Sequence, residues 1–291
     1  MNPNFFIGVI VAVGSTVGGY VMSGGHLSVL ADAAPLEILI MGGTAAGAFV
    51  ISNPKSVKKA TAHSLKHLFK KTKYDKDSYI DLLSMMYQLF KLAKTKGMLA
   101  LETHIETPEE SSLFQEFPSF LENHHAVEFV CDYLRLVTLG SDKPYEIEAL
   151  MDEELEVHHS EDAAVVAAIM FVADSMPAIG IVAAVLGIIH TMGAITEPPE
   201  VLGQLVGGAL CGTFMGVWAS YGFIGPVGNC VGQAQEAESH YLQCLKVGIL
   251  GHLQGFAPSI SIEYARKTLL SDVRPTFIEV EEATQALTAP S

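Results

Sequence analysis

Residues 165–192 read VVAAIMFVADSMPAIGIVAAVLGIIHTM: 28 positions with one acid, Asp174, and no Lys or Arg. A helix needs about 20 mostly apolar residues to cross a bilayer. At about 1.5 Å per residue this stretch reaches about 42 Å, well past a hydrocarbon core of about 30 Å. It predicts a membrane-crossing helix of which part projects from the bilayer, with Asp174 near the boundary. Outward from it the same character repeats. Residues 1–31, 38–54, 175–196 and 201–235 contain no Asp, Glu, Lys or Arg, and further spans are predicted at Phe5–Met22, Leu36–Ile51 and Val201–Val227. No single soluble core leaves a 35-residue run such as 201–235 without a charge. The expected fold class is an all-α integral membrane protein, with four transmembrane helices and a helical cytoplasmic domain between the second and third.

The average composition hides this segregation: 49% of residues are hydrophobic and 17% charged, against roughly 25% charged in soluble domains. The 17 Lys and Arg against 32 Asp and Glu give a net charge of −15, which excludes a nucleic-acid-binding domain. Four scattered cysteines exclude a disulfide scaffold; Cys131, Cys211, Cys230 and Cys244 fall in cytoplasmic or membrane segments and are expected to be reduced. The bases set the orientation. Thirteen lie between Lys55 and Lys143, and four between Lys246 and Arg274. Lys and Arg near span ends stay cytoplasmic, and Lys55, Lys58, Lys59, Lys66, Lys70, Lys71 and Lys73 follow the second span. Both chain ends are therefore expected in the cytoplasm of a cell-inner-membrane protein, with short outer loops at 23–35 and 193–200. The expected domains are 1–51 (spans one and two), 52–162 (cytoplasmic helical domain), 163–228 (spans three and four) and 229–291 (cytoplasmic tail). The apolar start lacks a basic n-region, and Gly14-Ser15-Thr16-Val17-Gly18-Gly19 suits helix packing rather than signal-peptide cleavage.

In the cytoplasmic part Tyr79, Leu82, Leu83, Met86, Leu89, Phe90 and Ala93 recur at helical spacing. Thr107-Pro108-Glu109-Glu110 predicts a helix start, with a cap hydroxyl, proline in the first turn and acids at the positive dipole end. Lys143-Pro144 predicts another, with Ile147, Leu150, Met151 and Leu155 on one face. No Pro or Gly interrupts from Tyr145 to Met176, so one helix is expected to rise out of the cytoplasm into the third span. Residues 146–162 hold eight acids and no Lys or Arg. A solvated face is the plainer reading, and a vestibule that concentrates cations is the functional one. His124-His125 and His158-His159 are poor chelates, because helix neighbours point about 100° apart. Without Cys-x-x-Cys or His-Glu-x-x-His beside them, no metal site and no cofactor is expected.

In the third span Pro177, Gly180, Ala184, Gly187 and Thr191 recur at steps of three and four. In the fourth, Gly208, Gly212 and Gly216 form two small-x-x-x-small steps, with Thr213 and Ser220 on a neighbouring face and Tyr221 and Pro226 below. Small residues let helices approach closely, which accounts for the glycines but not for the prolines. Pro177 and Pro226 each free a carbonyl in or near the bilayer, which is tolerated where neighbours or water satisfy it. The pair predicts a hinge or a hydrated path. No ionisable residue is expected deep in a span, beyond Asp174 at the boundary and His190 near the far end. A proton relay uses an intramembrane carboxylate, so the titrating group for any ion flow is expected on another chain.

Seven ordered blocks resemble the MotA/PomA family, the A subunit of the bacterial flagellar stator. They are Gly18–His26, Lys96–Glu102, Ile147–Glu154, Asp174–Ala184, Gly212–Phe214, Tyr221–Pro226 and Arg274–Glu282. The resemblance runs nearly end to end. It implies a homopentamer around two MotB-like single-span, peptidoglycan-binding chains (five to two) in the inner membrane, carrying protons and turning the rotor, with no enzymatic activity. The partner's aspartate would carry the ion, and the small-residue stripes of the third and fourth spans would face it. Pro177 and Pro226 match the family's two functional prolines, and Thr213 its pore threonine; Tyr221 joins the pathway beside Pro226. At Ala184 sodium-driven relatives carry threonine, so alanine points to protons. Glu102 matches the glutamate that contacts the rotor protein FliG. The matching arginine falls on Lys94, which keeps the charge and loses the bidentate fork, and Lys96 stands close enough to share that role. The rival within this group is an ExbB/TolQ-like energiser, whose three spans and outside N-terminus fit less well. A secondary transporter would need midplane polar groups, often on inverted repeats; a plain membrane scaffold would leave the prolines unexplained.

Overall fold

The computed structural model describes residues 3–67, 74–140 and 143–287, with side chains from Phe5 onward except at His67; Lys70, Lys71 and Lys73 of the basic cluster lie outside the described residues. Among the described residues every regular element is helical. The order is α1 (Pro3–Met22), α2 (Leu27–Ser52), α3 (Lys55–His67) and α4 (Lys76–Lys96), then a 3-10 turn (Met98–Leu101) and α5 (Glu102–Glu106). A second 3-10 turn (Pro108–Glu110) precedes α6 (Ser112–Gln115), α7 (Pro118–Leu121) and α8 (His124–Thr138). Then come α9 (Pro144–Gly193), α10 (Pro199–Ala219), a π-helical turn (Ser220–Ile224), α11 (Gly225–Leu253), α12 (Pro258–Lys267) and α13 (Phe277–Ala286). Four helical stretches are long and apolar enough to cross a membrane by length and composition: Phe5–Met22, Leu27–Ser52, Pro144–Gly193 and Pro199–Leu253. The chain divides into two compact units, 1–71 with 161–233 and 72–160 with 234–291.

In the first unit, α2 begins nine residues before the expected Leu36, because Pro35 is accommodated inside the helix. The turn before it is set by Gly24, at φ +84°, and Gly25, where a Cβ would stand 2.5 Å from the Tyr20 ring. α9 is one unbroken helix of 50 residues, about 75 Å long. Its small residues meet those of α10. A Cβ at Gly180 would stand 2.6 Å from the Gly212 carbonyl oxygen, one at Gly187 2.7 Å from Ala209 Cβ, and one at Gly216 2.7 Å from the Met176 carbonyl oxygen. The two stripes thus face each other. α2 lies on another side of α10, with Val29 against Gly207 and Ala33 against Gly208. Met41, Ala45, Met176, Ile179 and Ala183 close the small apolar centre. The outer faces stay apolar, with Ile10 and Leu39 each 69% exposed. Within the chain, Gly8, Gly14, Gly18 and Gly19 of α1 have nothing within 4 Å of their Cβ positions.

The second unit is built around α4. Tyr79, Leu82, Leu83, Met86, Leu89, Phe90 and Ala93 are all buried, as their spacing predicts. Asp75 caps the helix by accepting from Ser78 N at 3.1 Å, and Gly97, at φ +86°, ends it. Tyr241, Leu245 and Ile249 of α11 and Ile262 and Ala265 of α12 complete the core. α13 starts with a capping box between Thr276 and Glu279, and Lys76 reaches Glu279 at 2.6 Å. Together these hold Glu279's carboxyl down at about 2, the Lys76 bond being the largest cause. Two local expectations change. Thr107 caps nothing and donates back to the Thr103 carbonyl; Ser111 instead caps α6 through Phe114 N at 3.2 Å. Ile147 and Met151 enter the core, but Leu150 stays 50% exposed, because the buried stripe of α9 is narrower than its apolar pattern.

If glycine contact between α9 and α10 holds the first unit, Gly216→Val should unfold it and Gly203→Val should not. A Cβ at Gly216 meets the α9 backbone at both Met176 and Gly180, whereas Gly203 has nothing within 4 Å. Overpacking costs about 1–3 kcal/mol. Thermal unfolding in detergent and membrane yield should both fall for Gly216→Val only; equal stability of the two variants would disprove the contact's importance.

Candidate functional site

The two expected prolines sit beside the tightest helix contact. Pro177 lies inside α9, and having no N–H it leaves the Ala173 carbonyl without its helical donor. Ser175 Oγ donates to the Val172 carbonyl at 2.9 Å and adds to the local irregularity. The neighbouring Met176 carbonyl points at Gly216 of α10. One turn beyond Gly216, the chain widens into the π turn Ser220–Ile224, in which Gly225 N bonds back to the Ser220 carbonyl. Pro226 follows at the second position of α11, so the wide turn absorbs its missing donor and the helix continues. Two backbone irregularities on adjacent helices therefore lie within about a turn of each other.

The other expected pathway residues divide. Ala184 is buried at Gly212, its backbone N 3.0 Å from the point a Gly212 Cβ would occupy. Thr213 is half-buried on the neighbouring face, Tyr221 is 72% exposed within the π turn, and Pro226 is exposed. Trp218 stacks on Phe214 with ring centroids 5.6 Å apart and meets Phe223 edge-on at 5.0 Å, bracing the turn. One ionisable group was missed. With α2 starting at Leu27, Glu37 is its eleventh residue and lies inside an apolar helix; it is buried, and its Oε2 accepts no hydrogen bond. With the span expected at Leu36–Ile51, this acid falls at its edge rather than inside it.

Lys94 and Glu102 are both exposed on the second unit. They do not share one helix: Gly97 ends α4, the 3-10 turn intervenes, and Glu102 heads α5. Lys94 also lies near His252, whose ring stacks on Phe90 at 4.8 Å. Burial, with Lys94 adding to it, pushes His252 below the ordinary histidine range. The acidic stretch is partly structural. Lys246, buried, pairs with Asp152; Tyr133 Oη donates to Glu154 at 2.6 Å; Lys143 pairs with Glu146 at 2.8 Å. The histidine pairs separate, and one of each joins a third helix: His125, His158 and Glu238 place their ligand atoms within 4.8 Å of one another. His125 Nδ1 donates to Glu238 at 2.9 Å. The cluster joins three helices, so no spacing within one of them marks it.

Comparison with known proteins covers nearly the whole chain. The family model for Motility protein A N-terminal matches residues 6–97, and that for the MotA/TolQ/ExbB proton channel family matches residues 122–243. Motility protein A of Salmonella typhimurium is 42% identical over 285 residues, which cover 98% of this chain and 96% of the relative. Motility protein A of Escherichia coli is 42% identical over 284 residues, with the same coverage. Among solved structures, the flagellar MotAB stator complex from Bacillus subtilis matches with a TM-score of 0.71 at 26% identity, over 91% of this chain and 94% of that one. The C. jejuni MotAB structure matches in fold with a TM-score of 0.74 at 22% identity, over 94% and 97%.

The hydrogen bond to Glu238 is the main cause that raises His125 above its ordinary value, against burial and the nearby His158. A raised histidine pKa stabilises the fold fully below the unfolded value of about 6.5, and that contribution is lost as pH rises through the folded value. Protection of α8 against hydrogen exchange in the detergent-solubilised protein should therefore weaken as pH rises past the histidine range. Glu238→Gln should abolish that pH dependence; an unchanged profile would show that the pair contributes nothing.

Proposed function

We infer a mechanism from one premise: the chain belongs to the Motility protein A family, and its function is that of a flagellar stator subunit. The four apolar helices are its membrane spans in the inner membrane, and the second unit, with both chain ends, lies in the cytoplasm. Support for that orientation is the confinement of all Lys and Arg to 55–143 and 246–274. In the domain reading, 1–51 and 163–228 are the membrane part, 52–162 the cytoplasmic helical domain and 229–291 the tail. The chain assembles as a homopentamer around two MotB-like, peptidoglycan-anchored subunits. The open glycine face of α1 supports contact with further subunits, because it meets nothing within its own chain.

Protons pass beside the partner's aspartate along a path made by Thr213, Tyr221, Ala184 and the two prolines. The observation that carries this reading is the juxtaposition of Pro177 with the π turn that precedes Pro226. Proton entry changes charge at the partner, and it becomes work only if two helix arrangements differ in their affinity for that proton. Backbone that lacks its regular hydrogen bonds is where such a change costs least. Ala184 offers no hydroxyl to a dehydrated Na⁺, so the ion is the proton. The exposed Lys94 and Glu102 contact the rotor protein FliG, where charges set recognition and on-rate more than stability.

In a strain lacking its own stator A subunit, this chain with its partner should restore swimming that persists when Na⁺ is replaced by K⁺ at constant pH. Pro177→Ala and Pro226→Ala should insert, bind the partner and displace wild-type stators, giving dominant loss of swimming. Full motility in both would refute the hinge role; loss of both proteins from the membrane would make the prolines folding determinants instead. For the rotor contact, Glu102→Lys should impair swimming, and a reciprocal charge reversal on FliG should partly restore it. Normal swimming by Lys94→Glu, Glu102→Lys and the double variant would remove these residues from the interface.

A further inference from the structure

The buried carboxyl of Glu37 has no place in the mechanism so far. It sits about 15 Å from one end of α2 and about 22 Å from the other, well inside the apolar stretch. It belongs to the face that steps by four through half-buried Ala33 and buried Glu37, Met41 and Ala45. Its Oε2 lies 2.7 Å from the point a Gly212 Cβ would occupy, and the backbone N of Ala184 lies 3.0 Å from the same point. Gly212 is thus the floor on which the carboxyl of α2 and the backbone of α9 meet, and any side chain at 212 would evict the acid. The residue is 7% exposed, and Oε2 has no partner.

An unpaired ionised carboxylate in an apolar interior is among the most costly groups to bury. No counter-cation is available along the chain from which these helices are built: residues 1–54 and 144–245 contain no Lys or Arg. The titratable groups on the elements packed around it are few. On α10, Cys211 adjoins the floor, and its thiol is engaged with the Gly207 carbonyl at 3.4 Å, while Glu200 lies in the first turn. On α9, Ala183 and Ala184 face it, and Asp174 and His190 lie about 14 Å and 10 Å away along the helix. On α2 itself Asp32 is exposed. In such surroundings the neutral acid costs far less than the carboxylate, and water at the contact between α2 and α10 would lower that difference.

We propose that Glu37 is a proton-binding site of this chain, a second carboxyl in the conduction path beside the partner's aspartate. Its carboxylate takes a proton from hydronium, leaving water, and as the neutral acid it settles on Gly212. On release the proton passes to water, and the carboxylate requires the α2–α10 contact to open and hydrate. The position thereby links occupancy by a proton to the spacing of α2 and α10 at Gly212, beside the Ala184 backbone of α9. This rests on the stator reading above.

The test uses the full chain with its partner in proteoliposomes, read by proton flux, with swimming, membrane yield and partner pull-down alongside. Glu37→Gln, which keeps shape and polarity but cannot titrate, should reduce flux to that of empty vesicles while yield and pull-down stay normal. Glu37→Asp should retain part of the flux. Normal flux in Glu37→Gln overturns the proposal and leaves the stator reading intact, whereas absence of flux through the wild-type complex overturns the conduction reading and this proposal with it. If Glu37→Gln fails to accumulate, infrared difference spectra of the wild-type chain decide, taken with the partner's aspartate replaced by asparagine. A protonated-carboxyl band that titrates and moves in Glu37→Asp supports the site; no such band overturns it.

Discussion

Backbone-to-backbone contact between α9 and α10 is the constraint on which the rest of the first unit depends. Inside a bilayer, lipid tails compete equally with Leu and Val for apolar contact, so helices associate through close packing rather than through the hydrophobic effect. Gly180, Gly212 and Gly216 allow an approach at which any Cβ would press on the opposite backbone. That approach brings the Met176 carbonyl against α10, sets Pro177 beside the π turn, and creates the floor at Gly212. α2 can then dock on α10 through Val29, Ala33 and Glu37. The large apolar side chains, meanwhile, are left outside, where Ile10, Leu39 and Ile189 are more than half exposed.

The second unit obeys the opposite rule. Its core is a cluster of Leu, Met, Phe and Tyr around α4, and each fully buried side chain of that kind contributes about 1.5–3 kcal/mol by leaving water. Local devices then fix the ends: the Asp75 cap, the Gly97 stop, and the Thr276–Glu279 box tied to Lys76. Charge on this unit is partly structural, since Asp152 neutralises a buried Lys246. Among the described residues Lys94 and Glu102 join no such ion pair, and both are exposed.

Features with a local cause were legible in the sequence. The α4 core face follows from its period, and the continuous α9 from an apolar run too long for one crossing and free of Pro and Gly until Pro177. Features set by partners distant in sequence were not. Glu37 lay next to a charge-free run and behind Pro35, so charge arithmetic placed it at an edge; only the docking of α2 on α10 puts it inside. The π turn depends on how the chain accommodates Pro226, which spacing alone does not encode. That the small-residue stripes of α9 and α10 meet each other was not legible either, because spacing gives a face and not its neighbour. Likewise His125 and His158 meet through tertiary packing. The roles of Thr213 and Glu102 came from the family resemblance; the paired prolines pointed to a hinge or a hydrated path by their missing donors, and the resemblance matched them to the family's two functional prolines.

Energy scale explains why rigid and yielding backbone stand side by side here. A proton crossing 100 mV releases about 2.3 kcal/mol. That is comparable to one overpacked methyl in a tight contact or to one or two hydrogen bonds left unmade. A bundle held only by regular helices and glycine contacts would need more than this to move, and the proton would leak without doing work. A bundle without the glycines would have no defined starting arrangement to leave. At Gly216 the chain has the first, and one turn away, at the π turn, it has the second kind of backbone, in which hydrogen bonding is already irregular and a change of register exchanges one imperfect set of bonds for another. In the proposed mechanism the glycines hold the axis and the prolines mark where it turns, so a step worth a few kcal/mol is directed along one path rather than spread through the bundle.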